Sequence, residues 1–232
     1  MERKLILIGD EEINRQKSLM AQVRANPRCP KSYFIITYGC QMNNHDSEKL
    51  SGIFEGMGIE QAPCKEEADI VIFNTCCIRE NAERKALGNI LWLNELKKQK
   101  PQIIVGVCGC MMQQKGMGEK VLKQYPFVDL AFGTGNMYKL PEFMLNILEG
   151  LRSIQIGDED STLVEGLPIA REGGEKAYIT IMYGCNNFCS YCIVPFVRGC
   201  ERSREAKNIV SEAIELKKSG VKEIMLLGQN VN

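Results

Sequence analysis

The chain has 232 residues, and its 29 basic and 29 acidic side chains leave no formal net charge, so overall charge gives no attraction to nucleic acid. No apolar run approaches the roughly 18 residues of a membrane span, and the apolar run before Gly9 is too short for a secretory signal. This length allows one large domain or two small ones. We therefore expect a cytoplasmic protein with no membrane partner.

Strand and helix patterns alternate in the first part of the chain. An N-terminal extension, residues 1–32, contains a charged helix candidate at 11–24 and ends in a proline-containing break. The pattern that follows predicts strands at 33–37, 69–73, 102–107 and 128–132 and helices at 46–57, 81–98 and 140–149. Such alternation is typical of parallel β-α-β units, so we expect residues 33–150 to form an α/β domain around a parallel sheet.

A second β-α-β unit is predicted after a polar, glycine-containing connector at residues 151–175. Its strands are expected at 177–182 and 223–227, with a helix at 203–219 that stops before Gly220. The sequence ends soon after the second strand. We therefore expect residues 176–232 to be the start of a second domain that is truncated after two strands.

Three cysteines lie within eight residues of the loop that follows the 177–182 strand: Cys185, Cys189 and Cys192. In a reducing compartment, clustered cysteines indicate metal binding or catalysis sooner than disulfides. A structural zinc site needs four ligands, and the chain has a single histidine, which nearly excludes Cys/His zinc sites. Three thiolates in a tight loop instead favour an iron–sulfur cluster with one iron left open. The alternatives are a zinc loop or three unrelated buried thiols.

A second set of cysteines is spread along the first domain, and each member follows one of the first three predicted strands: Cys40, Cys76 and Cys110. In an open parallel α/β sheet, ligands bind beyond the carboxyl ends of the strands, so these thiols could converge on a second open cluster. Buried cysteines are also common in cores, which keeps three unrelated core residues as an equal alternative. Cys77 and Cys108 compete for the same role; Cys76 and Cys110 are preferred.

Weaker signals come from isolated polar and aromatic residues. Four basic side chains follow the cysteine loop: Arg198, Arg202, Arg204 and Lys207. They indicate contact with RNA phosphate or a cofactor, or equally a solvated loop in which neighbouring glutamates offset the charge. His45 is expected to cap a helix start at the surface, and Trp92 is expected in the core.

The sequence around both cysteine sets resembles the radical S-adenosylmethionine methylthiotransferase family. In the first domain the similar motifs are Thr37-Tyr38-Gly39-Cys40-Gln41-Met42-Asn43, Phe73-Asn74-Thr75-Cys76, Ile78-Arg79-Glu80-Asn81-Ala82 and Gly109-Cys110-Met111. In the second unit they are the run from Tyr183 to Pro195, Arg198-Gly199, Glu201-Arg202-Ser203-Arg204 and the run from Leu226 to Asn232. The resemblance spans roughly residues 33–232. It is closest to the branch that acts on isopentenylated adenosine in tRNA, and weaker to the branches that modify a ribosomal protein or threonylcarbamoyl-adenosine in tRNA.

The resemblance implies a fold and two 4Fe–4S clusters. Residues 33–150 would form the family's N-terminal domain, and residues 176–232 the first strands of a radical S-adenosylmethionine domain, which is a partial TIM-type barrel. The implied ligands are Cys40, Cys76 and Cys110 for an auxiliary cluster and Cys185, Cys189 and Cys192 for the radical-generating cluster. Tyr191 would lie against the adenine of S-adenosylmethionine, with packing under the loop as the alternative.

The resemblance also implies a reaction. A methylthio group would be added to carbon 2 of an N6-isopentenylated adenosine beside the tRNA anticodon, with S-adenosylmethionine as methyl donor and radical source. The implied partners are this tRNA and an electron donor of the flavodoxin or ferredoxin type. Two alternatives stay open: a non-catalytic iron–sulfur-binding fragment, or a methylthiotransferase acting on a ribosomal protein or on threonylcarbamoyl-adenosine in tRNA.

Overall fold

The computed structural model describes residues 6–77, 80–156, 162–171 and 174–231. Its helices are α1 (Asp10–Ala25), α2 (Gln41–Gly56), α3 (Glu80–Gln99), α4 (Met117–Gln124), α5 (Leu140–Leu148), α6 (Val194–Val197) and α7 (Ala206–Lys218). Its strands are β1 (Ile6–Leu7), β2 (Ser32–Thr37), β3 (Glu60–Gln61), β4 (Ile70–Thr75), β5 (Ile104–Gly109), β6 (Leu130–Phe132), β7 (Ser153–Gln155), β8 (Thr162–Leu163), β9 (Lys176–Thr180), β10 (Met182–Tyr183), β11 (Arg202–Ser203) and β12 (Glu223–Leu227). Two 3-10 turns span Cys110–Gln113 and Thr134–Lys139.

Six of the strands form one parallel sheet in the order β3-β2-β4-β5-β6-β7. The two central strands, β4 and β5, are buried over their whole length, because helices cover both faces of the sheet. One face packs against α3 and α4, and the other packs against α1, α2 and α5. The predicted α/β class with a parallel sheet is confirmed.

The N-terminal segment belongs to this packed layer, although the sequence predicted an extension. Helix α1 buries Ile13, Met20 and Val23 on one face and contacts α5. Strand β7, in the predicted connector, is the sixth strand of the sheet. Later in the connector, the backbone N–H of Ala170 donates a 3.0 Å hydrogen bond to the carbonyl of Glu48 in α2. The segment between the two units is therefore folded onto the first one where it is described.

Several sequence features lie outside the described residues. They are residues 1–5, Ile78 and Arg79 of the motif after Cys76, residues 157–161 and 172–173 of the connector, and Asn232.

The second unit has the predicted strand–helix–strand order. Strands β9 and β12 pair in parallel over five residues, and α7 packs on them through Leu216. A separate antiparallel pair, β10 with β11, joins Met182 to Ser203 and Tyr183 to Arg202. This pair closes the base of the cysteine loop, because the loop leaves β10 and returns through β11.

Trp92 is not in the core. It is 36% exposed on α3, and the ammonium of Lys65 lies 3.7 Å from the centre of its ring. A cation over an aromatic face is favourable at an exposed site, so the ring is covered by a charged side chain rather than by the sheet. Among the described residues, no helix combines the length and the apolar character needed to span a membrane.

Candidate functional site

The sheet brings Cys40, Cys76 and Cys110 to one edge. Cys76 directly follows β4, and Cys110 begins the 3-10 turn after β5. Cys40 follows β2 and is the residue before the first turn of α2. Because β2, β4 and β5 are neighbouring parallel strands, their carboxyl ends meet at the same edge. The three cysteines therefore lie at one edge of the sheet, and their convergence on one cluster stays a prediction.

Asn43 connects the thiols of this set. Its Oδ1 accepts hydrogen bonds from Cys40 Sγ at 3.7 Å and from Cys110 Sγ at 3.8 Å. Its Nδ2 donates to the carbonyl of Thr75, the residue before Cys76, at 3.0 Å. Cys40 also forms a hydrogen bond with the side chain of Cys76. One buried amide thus lies among all three candidate ligands.

Gly39 is required at its position by two constraints. Its φ of +125° is a conformation that side chains with a Cβ rarely adopt. A Cβ there would also lie 2.4 Å from Cys76 Cβ and 2.8 Å from Cys76 Sγ. The glycine before Cys40 therefore allows the ends of β2 and β4 to approach closely enough for the two thiols to meet.

Charge in the site differs between the thiols. The hydrogen bond from Cys76 lowers the pKa of Cys40 to about 5 against the effect of burial, and the backbone N–H of Asn43 and the charge of Arg198 help. At Cys110 burial raises the pKa of the thiol, and the opposing influence is the positive charge of Arg198. Since the thiolate is the metal-ligating form, the lowered pKa of Cys40 favours this cysteine as a ligand.

Arg198 comes from the second unit and enters this site. It is 5% exposed, and its Nε donates a 3.0 Å hydrogen bond to Cys110 Sγ. Its Nη2 donates to Asn43 Oδ1 at 3.0 Å, and its Nη1 lies 2.7 Å from a carboxylate oxygen of Asp46. The solvated loop is therefore wrong for this side chain, whereas contact with RNA phosphate or a cofactor stays a prediction.

The next two arginines of the same segment also face inward. Arg202 donates to the carbonyls of Arg198 and Cys200. Arg204 pairs with Glu165, from the connector, and with Glu212 of α7. Of the four basic residues, Lys207 is the one that lies on the surface as a solvated loop would place it, paired with Glu205.

Cys77 and Cys108, the competing cysteines, occupy core positions. Cys77 packs with the residues between the sheet and α3. Cys108 is fully buried among apolar residues on the opposite face, and burial raises its pKa well above the ordinary value. Asn43 contacts Cys40 and Cys110 of the preferred set, which favours Cys110 over Cys108.

The three cysteines of the second set lie in one loop but differ in their exposure to solvent. Cys185 is buried, Cys192 is half-buried and Cys189 is exposed. The backbone N–H of Cys185 donates to the carbonyl of Gly199 at 3.2 Å, and the N–H of Cys192 donates to the carbonyl of Cys189 at 2.9 Å. One side of the loop is thus anchored and the other faces solvent.

The anchored side depends on Gly184. Its φ is +72°, and a Cβ would lie 2.1 Å from the carbonyl oxygen of Cys200. Its N–H donates to the side chain of Gln229, at the end of β12, at 2.6 Å. The loop is therefore attached both to its own returning strand and to the sheet of the second unit.

Tyr191 is 91% exposed, so it does not pack under the loop. Its ring is free to meet a ligand bound beside the loop. Among the residues that the structure describes, no three His, Cys, Asp or Glu side chains are placed to hold a metal ion. By donor chemistry, each set offers three thiols, which are the ligands that iron–sulfur clusters require.

His45 is 1% exposed and lies inside the first turns of α2, so the expected surface cap is wrong. The error arose because the helix begins at Gln41 and not at Asp46. Nδ1 of His45 lies 2.8 Å from the carboxylate of Glu48. Burial lowers the pKa of His45 to about 2, and the positive charges of Lys49, Arg171 and Arg204 add to this effect. The ring is neutral at physiological pH and lines a cavity of about 420 Å³ between α2 and the second unit.

The sequence reasoning missed Asn43, Asp46 and Lys49, which lie one turn apart on α2. Lys49 donates to the hydroxyl of Tyr183 at 2.9 Å, so this row of polar residues faces the second unit. Their spacing of three residues was a usable signal, because such residues share one face of a helix. The signal was hidden because the predicted helix began after Asn43.

Two family models match the chain: the uncharacterized protein family UPF0004 over residues 32–133 and the radical SAM superfamily over residues 179–232. Proteins named tRNA-2-methylthio-N(6)-dimethylallyladenosine synthase from Clostridium tetani and Clostridium perfringens are each 57% identical to the chain, over 202 and 203 residues. The protein of the same name from Clostridium beijerinckii is 54% identical over 203 residues. Each match covers 87% of this chain and 45% of the relative, so the chain spans less than half the length of these curated relatives.

The buried neutral histidine predicts a pH dependence of stability. The pKa of His45 is about 2 when folded against an ordinary 6.5, so the unfolded chain binds the extra proton as pH falls through about 6.5. Between about pH 7.5 and pH 5.5, the free energy of unfolding should fall by roughly 1.4 kcal/mol more in the parent than in His45→Gln. Urea unfolding at each pH measures the difference.

The exposed substitution Glu60→Gln serves as the control, because it leaves the histidine in place and should retain the parental pH slope. Equal slopes in the parent and in His45→Gln would contradict the buried, neutral state of the ring.

Proposed function

Because the chain belongs to the radical S-adenosylmethionine methylthiotransferase family, as the counterpart of the N-terminal part of its members, we propose that it is the cluster-binding portion of a tRNA methylthiotransferase. The proposed reaction adds a methylthio group to carbon 2 of N6-isopentenyladenosine beside the tRNA anticodon. The observation that supports this most directly is that each cysteine set lies within a segment of the chain that matches one of the two family models. The names of the relatives supply the substrate class.

The proposed ligands of the radical-generating 4Fe–4S cluster are Cys185, Cys189 and Cys192. Three protein ligands leave one iron open, which is the position that S-adenosylmethionine would take. When bound, the cluster and S-adenosylmethionine would together supply the radical, and residues of this chain would position S-adenosylmethionine. The exposed ring of Tyr191 and the solvent-facing side of the loop support a cofactor site there.

The proposed ligands of an auxiliary 4Fe–4S cluster are Cys40, Cys76 and Cys110. Their support is the shared edge of the sheet, the contacts with Asn43 and the lowered pKa of Cys40. A second cluster with an open iron would deliver the added sulfur. Carbon 2 of the adenine ring is not activated towards ionic substitution, so radical chemistry next to a sulfur source suits this reaction.

The partners and compartment follow from the reaction as proposals. The tRNA is the macromolecular substrate, and reductive cleavage of S-adenosylmethionine needs an electron donor, for which we propose a flavodoxin- or ferredoxin-type protein. Both would be met in the cytoplasm.

Cluster content tests the proposed ligands. Anaerobic reconstitution of the chain should give about eight iron and eight sulfide, since each 4Fe–4S cluster holds four of each. Triple alanine substitution of either cysteine set should lower both counts to about four, because the other set still assembles its cluster. Iron and sulfide assays with electron paramagnetic resonance spectra measure this.

Cys77→Ala and Cys108→Ala are the matched controls, because these buried neighbours are not proposed ligands and should keep the parental counts. One zinc and no sulfide in the parent would contradict both clusters. Loss of iron in Cys108→Ala but not in Cys110→Ala would contradict the auxiliary ligand set.

Nucleoside analysis tests the proposed substrate. Deletion of the gene should remove the methylthio group from isopentenylated adenosine in cellular tRNA, and the gene returned on a plasmid should restore it. The gene with Cys185→Ala should not restore the mark, whereas the gene with Cys64→Ala should, because Cys64 belongs to neither proposed ligand set. An unchanged tRNA mark together with loss of a methylthio group from a ribosomal protein would contradict the tRNA assignment.

A further inference from the structure

Arg198 occupies the junction between the two cysteine sets. Its side chain reaches Cys110 of the first domain, and its neighbour Gly199 accepts the backbone hydrogen bond of Cys185 in the second unit. One dipeptide therefore contacts a thiol of one set and the backbone of the other. Cys185 and Cys110 are thus linked through two adjacent residues, Arg198 and Gly199.

Each nitrogen of the Arg198 guanidinium has a partner at this position. Its three nitrogens face three different groups: Cys110 Sγ, Asn43 Oδ1 and the carboxylate of Asp46. Arg198 and Asp46 are 5% and 1% exposed. Removing two charges from water is costly, and such a pair is weak evidence of a stabilising role by itself.

The orientation of the pair favours another role. Asp46 contacts Nη1, while Nε is directed at the sulfur of Cys110. The carboxylate thus holds the guanidinium so that an N–H group is aimed at a candidate ligand atom. The carbonyl of Arg198 accepts a 3.0 Å hydrogen bond from Arg202, which fixes the backbone as well.

We propose that Arg198 is a positioning residue for the auxiliary cluster: it orients the Cys110 thiolate and raises the reduction potential of the cluster that this thiolate would hold. The inference rests on the proposed function for the existence of that cluster. Hydrogen bonds to ligand sulfur and local net charge are two of the properties that set such potentials. A cation beside the thiolate stabilises the reduced form, which carries one more negative charge.

The test uses the chain with Cys185, Cys189 and Cys192 changed to alanine, so that only the auxiliary cluster is observed. Its midpoint potential is measured by redox titration followed by electron paramagnetic resonance. Adding Arg198→Gln should shift the potential to a more negative value and alter the spectrum, because the donor and the charge are both removed. Arg198→Lys should give a smaller shift, because the charge is kept and the three-way fork is lost.

Arg204→Gln is the matched control. It removes an arginine from the same segment, along with its pairs to Glu165 and Glu212, but this arginine contacts no thiol in the described structure. It should leave the potential at the parental value. A parental potential in Arg198→Gln with full iron and sulfide would overturn the inference. An absence of any cluster in the starting triple-alanine chain would instead contradict the proposed function.

Loss of Arg198 leaves the buried Asp46 with only the more distant Lys49, at 3.6 Å, as its cation in the described structure, so Arg198→Gln can fail to assemble the cluster for reasons of stability. The comparison is therefore repeated on an Asp46→Asn background, where no carboxylate is stranded. Arg198→Gln should lower the potential there too. Equal potentials of Asp46→Asn and the double variant would overturn the proposal.

Discussion

A buried guanidinium joins the two parts of the chain that bear the cysteines. Arg198 belongs to the second unit, yet its hydrogen-bond partners Asn43 and Cys110 and its ion-pair partner Asp46 all belong to the first. A charge can be buried only if it is paired and hydrogen-bonded, so this contact fixes how the cysteine loop lies against the end of the parallel sheet. Removal of Asp46 would leave the buried guanidinium without this ion pair.

The parallel sheet provides the other half of the arrangement. Neighbouring parallel strands end at one edge, and three of them are followed by cysteine. Gly39 permits Cys40 and Cys76 to approach, and Asn43 holds the first and third thiols on one oxygen. In the cysteine loop, Gly184 likewise permits a close approach, between its own backbone and the carbonyl of Cys200. In both candidate sites, a glycine with positive φ allows the close approach that positions a cysteine.

The sequence carried the local features of the fold and the candidate sites. Hydrophobic runs predicted β4 and β5 because buried parallel strands are apolar throughout, and the cysteines were found from their spacing and their positions after strands. The features that the sequence did not reveal depend on contacts between residues far apart in the chain. Arg198 and His45 look like surface residues, and only their tertiary surroundings bury them. The helix of the N-terminal segment was predicted, but its packing against α5 was not, because few of its residues are buried and much of its remaining surface is charged.

The central claim is that one chain presents two separate three-thiol sites on either side of Arg198. Anomalous scattering at the iron absorption edge, from crystals of the anaerobically reconstituted chain, tests this most directly. Two iron peaks are expected, one beside Cys40, Cys76 and Cys110 and the other beside Cys185, Cys189 and Cys192, with Arg198 next to the first. A single iron peak shared by cysteines of both sets, or a peak at the zinc edge in place of iron, would contradict the account.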